Sequence, residues 1–165
     1  LSDSNATSMY PAVEAVVGAS AQIAAGPILG AVVGIVNVKQ DPVTGTMSGG
    51  SISLDTPVYR PASTKQFVLV SDASDLIYEA EADASVALAS IGLNVGVGAS
   101  AHTNSLLTGN SPMYVYSTTA PDGTATRPLQ IVGLVNRPDN EVGANSKVYV
   151  RINVHSFGSV GVAGV

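Results

Sequence analysis

KVYVRINVHSF (Lys147–Phe157) alternates along its length, with Val148, Val150, Ile152 and Val154 on one side. Tyr149, Arg151, Asn153 and His155 fall on the other. Successive side chains of a strand point to opposite faces, so this spelling predicts a β-strand with one apolar face in a core and one face toward water. Upstream of it, RPLQIVGLV (Arg127–Val135) is a second β-branched run, and the eleven residues NRPDNEVGANS between them are rich in turn formers. The pair predicts two neighbouring strands joined by a polar loop.

A second decisive stretch is DLIYEAEAD (Asp75–Asp83). Read as a strand, it puts Tyr78, Ala80 and Ala82 on one face and Ile77, Glu79, Glu81 and Asp83 on the other. Carboxylates two apart on a strand stand roughly 6.5–7 Å apart, inside the ~6.5–9.5 Å range of inverting glycosidases. Every i, i+2 pair shows that spacing, and a sugar cleft would call for more aromatics than this chain has, with no Trp and few other rings. A calcium site needs oxygens that converge from a loop, whereas a flat row diverges. The row is therefore read as the wet or partner-facing side of a strand. Asp83 is placed to cap a short helix over ASVALASI (Ala84–Ile91), with Ala84, Ala87, Leu88 and Ile91 packed and Gly92 terminating it.

The rest of the chain reads as shorter strands and punctuation. Ile28–Val38 predicts a strand buried on parts of both faces, and KQFVLVS a short core strand. KQDPVTGTMSGG reads as hairpin or loop, and SISLDTPVYRP as an edge because its prolines cannot donate. PMYVYS reads as a strand, Asp122-Gly123 as a tight turn, and the glycine-rich chain from Gly92 to Gly109 as loose. Residues 1–25 read as an extended N-terminal arm, 26–157 as a β-rich domain and 158–165 as a flexible, low-complexity C-terminal tail.

Composition bounds what such a domain can do. The 165 residues carry only 12% charged side chains, no Cys and no Trp, with 17 Gly and 9 Pro. Short strands joined by turns fit that better than a helical bundle. Seven basic against twelve acidic residues give a net charge of −5, with no basic stripe to displace counterions, so nucleic acid is not an expected partner. From Ala12 to Val38 the chain is apolar-rich, with GPILGAVVGIVNV its densest part, but Glu14, Gln22, Gly26 and Pro27 break the run below the ~20 residues of a membrane span. No zinc site is expected from His102 and His155, which read as surface residues, and G-x-S-x-G is absent. GVGASA (Gly96–Ala101) spells a dinucleotide loop without the helix that would follow it. Catalytic, cofactor and metal residues are therefore expected to be none.

Three pieces carry a family resemblance: FVLVSDASDLIYEAEAD, ASIGLNV and LQIVGLVNRPDNEVGANSKVYVRINVHSF. Their order and spacing, from about Gly26 to Phe157, resemble the head decoration (cement) proteins of tailed bacteriophages, small structural proteins encoded beside the major capsid protein. The long apolar N-terminal arm and the Gly/Val tail depart from that pattern. The resemblance implies a mainly β fold, a compact β-barrel or β-sandwich with one short α-helix and extended terminal arms. It implies a non-enzymatic virion protein, made in the host bacterial cytoplasm, that sits on the outer capsid surface as a homo-oligomer, a dimer or trimer. Its partner would be the major capsid protein, with no membrane and no cofactor involved. Expected contacts are Tyr10 and Pro11 on the arm, Glu79, Glu81 and Asp83 on the acidic strand, and Arg137, Asp139 and Asn140 in the RPDN turn. A receptor- or glycan-binding β-module on the virion surface is the alternative, and its mark would be exposed tyrosines around a concave site.

Overall fold

The computed structural model describes residues 22–23, 25–36, 39–40, 47–48, 67–99, 113–158 and 161–165. Among these, ten strands run in chain order: β1 (Gln22–Ile23), β2 (Ala31–Val36), β3 (Lys39–Gln40), β4 (Met47–Ser48), β5 (Phe67–Ser71), β6 (Ile77–Glu81), β7 (Asn94–Ala99), β8 (Met113–Tyr116), β9 (Leu129–Leu134) and β10 (Lys147–Ile152). The fold is mainly β, as the turn-rich, β-branched composition predicts. The chain divides into two compact units, where the sequence reading takes 26–157 together.

One unit takes in residues 31–71. It carries an antiparallel ribbon of β2 and β5 and a two-residue pairing of β3 with β4. The strand and hairpin expectations hold here, but the burial expectation does not. Val32 and Val33 are both exposed, as is Leu69. Among the described side chains of this ribbon, the β-branched run sets the strand pairing without burying Val32 or Val33.

The other unit holds the core. Its sheet runs β8–β7–β9–β10–β6, all antiparallel, and β1 adds to β7 opposite β8. The sheet curls until its two ends meet, with Ala82 bridging Val115 and Asp83 N–H donating to the Val115 carbonyl (3.1 Å). Inside the curl lie Ala82, Val86, Val95, Val115, Ile131, Val148 and Val150, all buried. The alternation of β10 holds: Val148, Val150 and Ile152 are inside, while Tyr149 and Arg151 are exposed. The inner face of β6 is Tyr78, Ala80 and Ala82, as its spelling predicts. Small and β-branched side chains fill the buried interior, with Tyr78 half-buried on the inner face of β6. Opposite Tyr149 and Val150, β9 carries a register shift at Val132, a bulge that sharpens the bend.

Several expectations are corrected. Residues 94–99, read as loose, form the strand with neighbours on both edges, because β1, β8 and β9 supply the partners that the glycines alone do not. Gly96–Ala99 are thus strand and not a phosphate loop. The α-helix over Ala84–Ile91 is replaced by one 3₁₀ turn, Leu88–Ser90, with Leu88 and Ile91 exposed and Val86 buried instead. Gly92 does take the positive φ (+90°) that ends the turn. Asp122-Gly123 does not close a hairpin, since β8 and β9 lie on opposite edges of β7. Of the predicted arm, β1 pairs with β7; its other residues, apart from Ala25, lie outside the described set. At the other end, residues 161–165, read as a flexible tail, lie along the barrel, with Val162 N–H donating to Asn153 Oδ1 (2.9 Å) and Asn94 Nδ2 donating to Val162 O (2.7 Å).

Candidate functional site

The predicted contact residues that are described all belong to the barrel unit, and they meet different fates. Tyr10 and Pro11 lie outside the described residues, as does His102. Glu79, Glu81 and Ile77 point outward from β6, in register with Tyr149, Lys147 and Arg151 of β10. Glu79 is paired: its Oε2 lies 2.6 Å from Arg137 Nη2 across the sheet. At 33% and 47% side-chain exposure this ion pair is worth under about 1 kcal/mol, but it fixes where both side chains point. Glu81 sits opposite Lys147 and is exposed.

Asp83 is neither a helix cap nor a free contact. Its Oδ1 accepts from the backbone N–H of Ser117 (2.7 Å) and of Thr118 (3.1 Å) and lies 3.0 Å from Ser117 Oγ, while Oδ2 accepts from Thr118 Oγ1 (2.8 Å). The residue thus latches the end of β6 to the end of β8, where the curl closes. Burial, then the nearby Asp83 carboxylate and Tyr116, push the Tyr114 hydroxyl above the usual phenol range.

The RPDN stretch forms a turn, with Asn140 N–H donating to the Arg137 carbonyl (3.1 Å) and Asp139 exposed at its tip. Asn140 faces inward. Its Nδ2 donates to Val135 O (2.7 Å) and Lys147 O (2.9 Å), and its Oδ1 accepts from Lys147 N–H (2.7 Å). One side chain therefore ties both feet of the β9–β10 loop. The carboxamide read from the sequence as a contact group is thus part-buried and bonded within the chain.

Two concavities lie on this unit. One, of about 500 Å³, sits over the outer face of β9 and β10. Ile77, Ile91, Val132 and Val165 surround Arg151, whose Nε donates to Gln130 Oε1 (2.8 Å). Those four side chains are 58%, 41%, 40% and 96% exposed, an apolar rim around a hydrogen-bonded polar pair. The other, of about 310 Å³, is lined by Tyr116, Thr119, Thr124, Thr126 and Arg127. Arg127 Nη2 there lies 2.6 Å from Asp122 Oδ2.

Asp122 is held below the usual aspartate range, first by the Thr124 N–H donating to Oδ1 (2.8 Å), then by the Thr124 hydroxyl and by Arg127. A carboxyl whose folded value is depressed stabilises the fold above its ordinary value of about 3.9 and loses that contribution as pH falls through the folded value. Replacing it in Asp122→Asn is expected to lower Tm at pH 7 and to flatten the fall of Tm with acidification below about pH 4. Parallel Tm–pH profiles for the two chains would refute this.

His155 is the other correction. It is 7% exposed, its Nδ1 accepts from Phe157 N–H (3.1 Å), and it pairs with Ile28 in a short bridge. Sequence reasoning put it on the wet face because β10 alternates, but the strand ends at Ile152 and the chain turns inward. It also missed Asn94 and Asn153, buried polar residues that hold the closing segment. Among the described residues no group of three or more His, Asp or Glu is arranged to hold a metal ion. No helix of the described residues is long and apolar enough to cross a membrane. No family model, curated protein or solved structure matches this chain.

Proposed function

We propose that this chain is a structural virion protein, a decoration or cement protein that binds the outer surface of a tailed-phage capsid as a homo-oligomer and reinforces contacts between capsomers. The observation that carries the reading is the outer face of β6, β9 and β10. Ile77, Val132 and Tyr149 stand exposed there, where a merely solvated strand face would carry polar residues, and Ile91 and Val165 extend the rim. Apolar surface rimmed by polar groups is the usual make-up of a protein contact. Charges of both signs border it: Arg137 is paired with Glu79, Glu81 stands opposite Lys147, and Asp75, Asp139 and Arg151 are exposed, so a partner surface of mixed charge fits it. Repeated around a symmetric shell, a contact of ~800 Å² per partner multiplies avidity without a strong single site.

The acidic row supports a docking role over hydrolysis, since its members do not converge: Glu79 is neutralised by Arg137 and Asp83 is spent on closure. The test is to add the purified protein to capsids that lack it. Saturable binding that weakens with salt, with a gain in resistance to heat or chelator, is expected. Capsids that neither bind it nor gain resistance refute the proposal. A second reading, a glycan-binding module, draws on the 310 Å³ concavity, where Tyr116 stands beside three threonines and Arg127. A glycan array separates the two, because a cement protein leaves it blank.

A further inference from the structure

We infer that the barrel contains a groove that binds a Gly-x-x-Gly segment through its backbone, filled here by the chain's own residues 161–165 and able to take the same segment from a second copy. The groove recognises one residue's main chain from both sides. Val162 N–H donates to Asn153 Oδ1 (2.9 Å), and Val162 O accepts from Asn94 Nδ2 (2.7 Å). Val165 N–H then donates to Gly92 O (3.3 Å).

Both amides are built in. Asn94 is 0% and Asn153 4% exposed, and Asn153 Nδ2 is held by the carbonyls of Ala125 and Arg127 (3.0 Å each), which aims its Oδ1 at the tail. Asn94 Nδ2 also donates to Thr124 O (3.2 Å). On the same carboxamide, buried Oδ1 has no hydrogen-bond partner. Polar groups are costly to bury unless they are paired, and the main chain of Val162 supplies one partner to each of the two amides.

Sequence selectivity comes from two glycines. Gly161 has φ +84°, and a methyl there would run into the Ala125 carbonyl and reach Val154 at 3.0 Å. A methyl on Gly164 would stand 2.9 Å from both the Gly92 carbonyl oxygen and Leu93 Cα. The side chains between and beyond them are spectators: Val162 is 61% and Val165 96% exposed. With no apolar anchor, the tail is held by main-chain bonds that any copy of the segment can make. Supply from a neighbour is then a matter of local concentration and of the connection after the His155–Gly158 turn. The inference does not rest on the capsid reading.

The test uses a fluorescent peptide of residues 157–165 and the full chain carrying Gly161→Ala, whose own tail cannot seat. Saturable binding is expected, and the peptide should bind the unaltered chain more weakly because that groove is occupied. Peptides carrying Gly161→Ala or Gly164→Ala should lose about tenfold or more, and a Val162→Ala peptide should bind as the parent does. Absence of peptide binding, or glycine-substituted peptides that bind equally well, overturns the groove. Independently of any variant chain, sedimentation of the unaltered protein should show a dimer that grows with concentration and dissolves in excess free peptide. A chain that stays monomeric, or a dimer indifferent to the peptide, overturns exchange between copies.

Discussion

Asp83→Ala is expected to lower the unfolding free energy of the barrel unit by about 2–4 kcal/mol, against ~0.5 kcal/mol or less for Glu81→Ala two residues away. Both substitutions remove one carboxylate from the same acidic row. The difference is what each touches. Asp83 accepts from two backbone N–H groups and from Thr118 Oγ1, and Ser117, one of its donors, is only 5% exposed. Removing the acceptor leaves a buried N–H unpaired at the point where β6 meets β8, and water cannot easily replace it. Glu81 has water on its side. Asp83→Asn keeps an acceptor oxygen and should fall between the two. Urea unfolding of the three variants decides it, and equal midpoints for Asp83→Ala and Glu81→Ala would mean that the curl is not closed by this latch.

Ile131→Ala should cost about 2–5 kcal/mol, whereas Val132→Ala, its neighbour in the chain, should cost under about 1 kcal/mol. Ile131 is 0% exposed and sits in the central strand of the curl, so truncation leaves a cavity that the surrounding sheet cannot collapse to fill. Val132 is 40% exposed at the bulge and loses little packing. Leu69→Ala, on the β2–β5 ribbon, should behave like Val132, because Leu69 is 49% exposed although its strand reads as core in the sequence. A large cost at Leu69 would contradict its exposed position.

Those contrasts show which parts of this protein are legible in one dimension. The strands β6, β8, β9 and β10 were readable because alternation and β-branching are properties of neighbouring residues. The RPDN turn was readable for the same reason, with proline and asparagine acting over four residues. The strand β7 was not, since NVGVGA carries glycines that weaken a strand on its own and are tolerated only with partners on both edges.

The site divides along the same line. The sequence alone determined the mainly β character, the inward face of β10, the outward row of Glu79 and Glu81, and the shortage of reactive groups. It could not say that Asp83 would bind Ser117, 34 positions away, or that Asn140, Asn94 and Asn153 would turn inward as clamps. Nor could it say that the Gly/Val closing segment would find a groove. A polar side chain beside a turn has the same local spelling whether it caps, solvates or latches. Which of these it does depends on the donors and acceptors that a distant strand delivers, and only the closed curl brings those within hydrogen-bonding distance.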